Sequence, residues 1–278
     1  MGIVFALAAA TAYGVSDFVG GIASRRTTAW PVALLSVVGG LVGALVMAAT
    51  IQGDPTTADL LWGALAGVGS GAGTAFLYRG FATGRMGVVA PVSAVGAALL
   101  PVAVGVLTGE RPEALVWLGI AAALPGIWLV ARDPNADPDA PGGTAGLVDG
   151  VLAGVGFGVL FLALGQVPDG AGYWPLAMVQ VAAMATILVL AGAFGVEWRP
   201  TERSEGWGFV AGLLASAAVL FFLLATQSDL LTIAAVLTSL YPAVTVLLAA
   251  VVLREHIFRP QAVGLALCGS AVALVALG

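Results

Sequence analysis

The sequence predicts an all-α integral membrane protein with ten transmembrane helices, arranged as two inverted five-helix repeats. Three observations predict this fold. Of the 278 residues, 60% are hydrophobic and only 9% are charged, whereas a soluble domain carries roughly 25% charged residues. The apolar residues form long runs between short polar connections, and the two halves of the chain share residues at a nearly constant offset. A chain with so few charges cannot cover a surface in water, so we expect lipid to surround it.

Ten apolar segments account for most of the chain. A helix needs about 20 mostly apolar residues to cross a hydrocarbon layer about 30 Å thick. Charges, prolines and glycines divide the sequence into segments with predicted bounds 2–24, 30–51, 59–80, 86–108, 114–132, 146–166, 172–195, 207–227, 230–253 and 259–277. No basic residue precedes the first segment, so we expect a retained span rather than a cleaved signal peptide.

The repeat is visible in pairs of residues that recur in the second half of the chain. Matching positions lie 145 or 144 residues apart, and the most specific are Trp62-Gly63 with Trp207-Gly208, Glu110 with Glu255, and Trp30-Pro31 with Trp174-Pro175. We therefore predict repeats at 1–132 and 146–278, joined by a polar linker at 133–145. Because five spans is an odd number, the second repeat would enter the membrane from the opposite side. Inverted repeats of this kind are typical of secondary transporters.

The arginines predict the orientation of the chain. Arg111 is the only one of the ten on the side of the even-numbered loops, and the other nine lie in or beside the odd-numbered loops. Since cytoplasmic loops are enriched in basic residues, both termini are predicted to lie outside the cytoplasm, in a multi-pass protein of the cytoplasmic membrane.

Composition also excludes several classes of function. A net charge of −5 and a pI near 4.7 argue against nucleic acid as a partner. One cysteine and one histidine cannot form a disulfide framework, and they make a Cys/His metal site implausible. The chain has no lysine, so it lacks the Walker-type phosphate loop needed for ATP hydrolysis. We expect no cofactor and no metal.

Asp17 is the residue that most suggests a function. It lies eight residues before Arg25, roughly 12 Å along a helix and therefore near the bilayer midplane. Of the fifteen acids, it is the only one we expect well inside a span. An ionised Asp at this depth costs on the order of 2.5–3.5 kcal/mol, and burial disfavours the charged form of a carboxyl.

We predict that Asp17 binds a proton, a substrate ammonium group, or both in turn. Two structural explanations stay open at this stage. The side chain could face a water-filled vestibule, or it could pair with an arginine from another span, such as Arg79 or Arg85.

Polar residues in three spans are candidates for a cavity around Asp17. Tyr13 lies one helical turn from Asp17, and Ser16 lies beside it. The further candidates are Ser93 in the fourth span and Thr238 and Tyr241 in the ninth, and the hinge candidates are Pro91, Pro101 and Pro242. Proline inside a membrane helix frees a backbone carbonyl and bends the helix axis. Glu110 and Glu255 are expected to have structural roles at helix ends.

These features resemble a known family. The resemblance depends on Tyr13-Gly14-Val15-Ser16 in the first span, on Gly109-Glu110 and Arg254-Glu255 after the fourth and ninth, and on the two five-span halves. The chain resembles the drug/metabolite transporter superfamily, specifically its ten-span members with two EamA domains. It departs from the family pattern at Phe157-Gly158, which no polar residue follows. The resemblance implies an exporter, or less often an importer, of amino acids, metabolites or drug-like compounds, commonly driven by protons.

We therefore predict a proton-coupled secondary transporter that exports a small polar or amphipathic metabolite. Access would alternate at a central cavity between the inverted repeats. Its partners would be a small-molecule substrate, protons and the lipid bilayer, and a single chain could form a complete pathway. The alternatives are a translocator of an amphiphile or lipid-linked sugar on the same fold and, with less support, an intramembrane enzyme or a channel. Amino acids, polyamines, aromatic cations and sugars are all compatible substrates at this stage.

Overall fold

The computed structural model of the protein describes residues 1–24, 27, 29–50, 53–83, 86–131, 143–228, 230–252, 254 and 257–277. Regular structure in these residues is helical throughout, without strands. The α-helices are α1 (Gly2–Ser24), α2 (Ala29–Thr50), α3 (Thr57–Thr83), α4 (Met86–Leu107), α5 (Ala114–Ala131), α6 (Gly143–Leu164), α7 (Trp174–Phe194), α8 (Trp207–Thr226), α9 (Leu231–Thr238), α10 (Tyr241–Val252) and α11 (Arg259–Leu277). Short 3₁₀ turns at Asp169–Ala171 and Arg203–Gly206 precede α7 and α8.

The helices make this a multi-pass membrane protein. Within the described chain, seven helical segments are long and apolar enough to cross a bilayer, namely Gly2–Ala23, Trp30–Thr50, Thr57–Leu77, Gly146–Leu164, Trp174–Phe194, Arg203–Thr226 and Leu231–Val252. Three shorter apolar helices occupy other predicted spans, at Val92–Leu107, Ala114–Val130 and Arg259–Val275. Helices are the expected form because every backbone polar group in hydrocarbon must be satisfied within its own segment.

The predicted span bounds agree with the helix bounds to within three residues, except in the ninth span. There the helix is broken, because α9 ends at Thr238 and α10 begins at Tyr241. Ser239 and Leu240 form a turn between them. Pro242 explains the position of the break, since its ring clashes with the carbonyl four residues earlier and it lacks an N–H for an intrahelical bond.

Glycines bring helices of the two halves into backbone contact, and they do so in matching pairs. A Cβ built on any of four glycines would lie 1.7–2.5 Å from a backbone oxygen of the facing helix. The pairs are Gly63 with Pro175 and Gly67 with Val179 between α3 and α7, and Gly208 with Val32 and Gly212 with Ser36 between α8 and α2. Gly63 and Gly208 are 145 residues apart, as are Gly67 and Gly212. The α3–α7 contact and the α8–α2 contact are thus equivalent under exchange of the two halves.

Other helix pairs follow the same exchange. The α1–α8 contact corresponds to α3–α6, and α4–α6 corresponds to the contact of α1 with α9 and α10. α2 packs on α7, and α5 packs on α11, which are pairs that the exchange leaves unchanged. The helices α1, α2, α3, α6, α7, α8 and α10 leave a space between the two halves, and this space positions the candidate site.

Candidate functional site

A cavity lies among seven helices drawn from both halves of the chain. Its empty volume is about 860 Å³, which includes the open space at its mouth. Sixteen side chains of the described residues line it, and among these sixteen Asp17 is the one charged residue.

Asp17 projects from α1 into this cavity and is exposed to it. The described residues provide it with no hydrogen-bond or ion-pair partner. Arg79, one of the two arginines considered as a partner, binds Asp149 instead. Arg85, the other, lies outside the described residues. The structure thus agrees with the vestibule explanation of Asp17 rather than with a pair to Arg79.

Contacts on two sides of α1 hold Asp17 in this position. Gly14 packs directly on the Tyr241 carbonyl, because a Cβ at residue 14 would lie 2.8 Å from that oxygen. The Thr245 hydroxyl donates a hydrogen bond to the Gly14 carbonyl at 3.2 Å. On the other side, the Ser16 hydroxyl donates to the Ala211 carbonyl of α8 at 2.8 Å. α1 is therefore fixed between α10 and α8, with Asp17 one turn beyond Gly14.

Aromatic rings line the same cavity as Asp17. The Tyr13 ring lies 6.2 Å from the ring of Phe161 and 6.2 Å from that of Tyr241, measured between centroids. The Tyr13 hydroxyl is buried and has no hydrogen-bond partner in the described part of the chain. A buried hydroxyl without a partner costs about 1–3 kcal/mol.

The two halves contribute equivalent positions to the cavity wall. Twelve of the sixteen lining residues form six pairs related by the repeat offsets of 144 or 145, namely Tyr13 with Phe157, Ser16 with Leu160, Asp17 with Phe161, Ser36 with Gln180, Ser70 with Ala215, and Thr74 with Val219. Exchanging the two halves therefore maps the cavity onto itself, so the cavity lies on the approximate symmetry axis of the repeats.

The two walls differ in polarity. Every first-half member of the six pairs is polar, whereas five of the six second-half members carry no hydrogen-bonding group or charge. We call the first-half members the polar wall and the second-half members, other than Gln180, the apolar wall. Gln180 is the exception and packs over Gly40 of α2. A cavity with this division suits a solute that is itself polar at one end and apolar at the other.

Comparison with known proteins assigns the family. The profile of the EamA-like transporter family matches residues 1–132 and 144–277. The chain belongs to the EamA-like transporter family. A search of curated proteins gives no match. A solved structure described only as "Crystal structure of protein" is 19% identical, covers 99% of this chain and 96% of its own, and superimposes with a TM-score of 0.74. That likeness shows a shared fold. The sequence-based assignment to the drug/metabolite transporter superfamily with EamA domains is thereby confirmed.

Two polar residues predicted to line the cavity of this EamA-like transporter lie elsewhere. Ser93 is fully buried in α4 and faces Gly154 of α6, with no partner for its hydroxyl among the described residues. Thr238 is fully buried at the end of α9, where its hydroxyl lies 3.5 Å from the Ala6 carbonyl. Neither is among the residues that line the cavity, because both positions face tight helix contacts. Tyr13, Ser16, Asp17 and Tyr241 do line it.

The three hinge candidates differ in their surroundings. Pro242 is the second residue of α10, directly after the break in the ninth span. Pro101 is buried within α4, which continues through it without interruption. Pro91 also lies within α4, but its side chain is outside the described residues.

Asp149 is a buried acid that the sequence groups with the acids at helix ends. Asp149 is the seventh residue of α6, and its side chain is 3% exposed. The Arg79 Nε donates to its two carboxylate oxygens at 3.0 and 3.2 Å, and a terminal guanidinium nitrogen donates as well. The guanidinium also lies over the rings of Phe76 and Phe194, 4.9 and 4.3 Å from their centroids. The sequence signal was weak because Asp149 looked like a helix-end acid after a span start at 146.

Glu110 joins the two halves at a helix end, in keeping with its expected structural role. Its carboxylate accepts hydrogen bonds from the backbone N–H groups of Leu231 and Thr232, at 2.9 and 3.1 Å. These are N–H groups of the first turn of α9, which have no partner within the helix. The carboxylate also complements the positive end of the helix dipole. Glu255, its counterpart in the second half, lies outside the described residues.

Among the described residues, no group of three or more histidine, cysteine, aspartate or glutamate side chains is placed to hold a metal ion.

Proposed function

We propose that this EamA-like chain is a proton-coupled secondary transporter that exports a small polar or amphipathic metabolite across the cytoplasmic membrane. Its ten spans would form inverted repeats at 1–132 and 146–278, with both termini outside the cytoplasm. A single chain would hold the complete pathway. The observation that carries the proposal is the position of Asp17, the one charged group on the cavity wall and without a basic partner in the described chain.

Coupling follows from the chemistry of a lone carboxylate in a confined cavity. The unfavourable buried charge is removed when the carboxylate takes up a proton, or it is compensated when a bound solute supplies hydrogen bonds or positive charge. In the proposed cycle, Asp17 takes up a proton when the cavity is open to the outside and releases it when the cavity is open to the cytoplasm. The solute binds after proton release and leaves when a proton returns. Inward proton movement would thus drive outward solute movement.

Two polar contacts between the halves are suited to closing the cavity at opposite sides of the membrane. Arg79 lies near the end of α3, whereas Glu110 follows the end of α4. Because consecutive spans run in opposite directions, the Arg79–Asp149 pair and the Glu110 cap on α9 would lie near opposite membrane surfaces. Each connects the first half to the second. Opening either side would require the corresponding contact to break.

The test of the coupling role compares two isosteric acid-to-amide variants. Cells with and without the chain are first screened for efflux of labelled metabolites, and the solute found is used in everted membrane vesicles with an imposed pH gradient. We expect saturable flux that a protonophore abolishes. Asp17→Asn should lose the component driven by the pH gradient, whereas Asp54→Asn, an exposed acid between α2 and α3, should keep it. Unchanged rate and pH dependence in Asp17→Asn would show that the coupling role is wrong.

Orientation is tested separately. A reporter that is active only outside the cytoplasm is fused after Gly278, and activity is expected. A fusion that is active only in the cytoplasm would contradict the predicted orientation without affecting the proposed transport.

A further inference from the structure

Resting on the proposed function, we infer the chemical class of the solute that the cavity binds. It is a monovalent organic cation with an apolar body, such as a protonated amine attached to an aromatic or branched hydrocarbon group. The cavity selects against zwitterionic amino acids, anions, dications and sugars. Three features of the cavity lead to this assignment, namely its charge, its polar wall and its apolar wall.

The charge of the cavity sets the charge of the solute. Asp17 can contribute at most one negative charge, and the described lining residues contribute no positive charge. The titratable groups that face Asp17 are the phenols of Tyr13 on its own helix and Tyr241 on α10. α8 presents the uncharged Ala211 and Ala215 there. A monocation therefore balances the site, whereas a dication leaves one charge unpaired and an anion is repelled.

The absence of a basic group on the described wall also separates amines from amino acids. A bound amino acid would place its ammonium group at Asp17, and its own carboxylate would then require a donor of comparable strength. Arginine supplies such a donor in sites that bind carboxylates, because its guanidinium forms two parallel hydrogen bonds. Arg79 is occupied by Asp149 outside the cavity lining.

The polar wall fits an ammonium group. Beside Asp17, it presents the hydroxyls of Ser36, Ser70 and Thr74 from α2 and α3. An ammonium group donates up to three hydrogen bonds and accepts none, so a carboxylate with neighbouring hydroxyl oxygens matches its needs. The aromatic rings of Tyr13 and Tyr241 add faces that attract cations.

The apolar wall fits a hydrocarbon body and argues against a sugar. Phe157, Leu160, Phe161 and Val219 cover the side of the cavity that is equivalent to the polar wall. Sugar hydroxyls placed against these side chains would lose their hydrogen bonds to water without replacement, which is unfavourable. An aromatic or branched apolar group placed there leaves water for an apolar surface, which is favourable.

Equilibrium binding to the purified full chain in lipid nanodiscs tests the assignment with probes that share one ring and differ in charge. The probes are 2-phenylethylamine (monocation), phenylalanine (zwitterion), 3-phenylpropanoate (anion) and p-xylylenediamine (dication). We expect 2-phenylethylamine to bind at least about 10-fold more tightly than each of the others. Asp17→Asn should weaken its binding about 10- to 100-fold, as expected for loss of a charge-assisted hydrogen bond. Asp17→Glu, which retains the charge, should weaken binding less than Asp17→Asn does, and the exposed-acid control Asp54→Asn should leave binding unchanged.

A reciprocal pair of near-isosteric variants tests the division between the walls. Val219→Thr adds a hydroxyl to the apolar wall, and Thr74→Val removes one from the equivalent position of the polar wall. The readout is the ratio of affinities for 2-phenylethylamine and ethylamine, which isolates the contribution of the ring. We expect Val219→Thr to lower this ratio about 3- to 10-fold. Thr74→Val should leave the ratio unchanged.

Three results would overturn the assignment. They are no measurable binding of 2-phenylethylamine, binding of phenylalanine that is equally tight, and amine binding that survives in Asp17→Asn. The binding measurements need no gradient, so they separate this inference from the proposed function. Asp17-dependent amine binding without proton-driven movement of any probe in proteoliposomes would reject the proposed function alone. Proton-driven transport of phenylalanine without the amine would reject the inference alone.

Discussion

The ion pair between Arg79 and Asp149 allows a quantitative test of how the two halves are held together. The pair links α3 to α6, and the Asp149 side chain is 3% exposed while that of Arg79 is 27% exposed. Removing one partner from a buried ion pair leaves an uncompensated charge and costs about 3–5 kcal/mol. The unequal exposure of the two side chains predicts that the two single substitutions will have different effects.

Arg79→Leu should be the more damaging single change. It leaves the Asp149 carboxylate buried without its partner and also removes the contacts with the rings of Phe76 and Phe194. Each of those contacts contributes about 0.5–1 kcal/mol at a partly exposed site. We therefore expect a loss near the upper end of the range, about 5 kcal/mol. Asp149→Leu should cost about 3 kcal/mol, because the long arginine side chain can redirect its charge toward the membrane surface.

The double variant Arg79→Leu/Asp149→Leu should lie within about 1 kcal/mol of the unmodified protein, since apolar replacement of a whole buried pair is often neutral. The assay is reversible unfolding in mixed micelles by titration with a denaturing detergent, followed by circular dichroism. A double-mutant cycle then gives the coupling energy. Additive effects of the two substitutions, or a larger loss in Asp149→Leu than in Arg79→Leu, would refute the reasoning.

Two further predictions concern the glycine contacts and the helix cap. Gly212→Ala would place a Cβ 1.7 Å from the Ser36 carbonyl oxygen, so we expect a loss of at least about 1–3 kcal/mol in the same unfolding assay. Gly269→Ala in α11 meets no atom within 4 Å and should change stability by less than about 1 kcal/mol. Glu110→Gln should cost about 1–2 kcal/mol and speed hydrogen exchange at the first amides of α9, because a neutral amide is a weaker acceptor. The exposed Glu113→Gln should alter neither quantity, and equal exchange rates in the two variants would contradict the capping role.

Helix positions could be predicted from the sequence because composition alone determines them in lipid. Every apolar run of sufficient length must form a helix, and charges and turn formers mark its ends. The break in the ninth span was the exception. Pro242 indicated a perturbation there, but proline both kinks and interrupts helices. Packing decides between these outcomes, as the uninterrupted path of α4 through Pro101 shows.

Asp17 could be predicted as a candidate site residue because an acid in a long apolar run is conspicuous. The pairing of Asp149 could not be predicted in the same way, since its partner Arg79 is 70 residues away in the sequence. Ser93 and Thr238 show a different limit. Their polarity suggested the cavity, but which face of a helix points inward depends on packing between distant segments. Polar side chains in tight helix contacts and polar side chains at a cavity look alike in a sequence.

The apolar wall was within reach of the sequence. Applying the repeat offset of 144 to Tyr13 and Asp17 gives Phe157 and Phe161, and both line the cavity. This inference depends on knowing that equivalent positions of the two repeats line the same cavity, and only the structure shows that they do.

The division of polar and apolar walls between the halves has a consequence for how a solute would travel. Among the six equivalent pairs, the carboxylate and every hydroxyl belong to α1, α2 and α3, so the head of a bound amphiphile would bind mainly to one half while the other half moves across its tail. A solute held in this way would keep its orientation as it crosses the membrane. The half that carries Asp17 would hold the polar head of the solute. The opposite half would move past the solute mainly through apolar contacts.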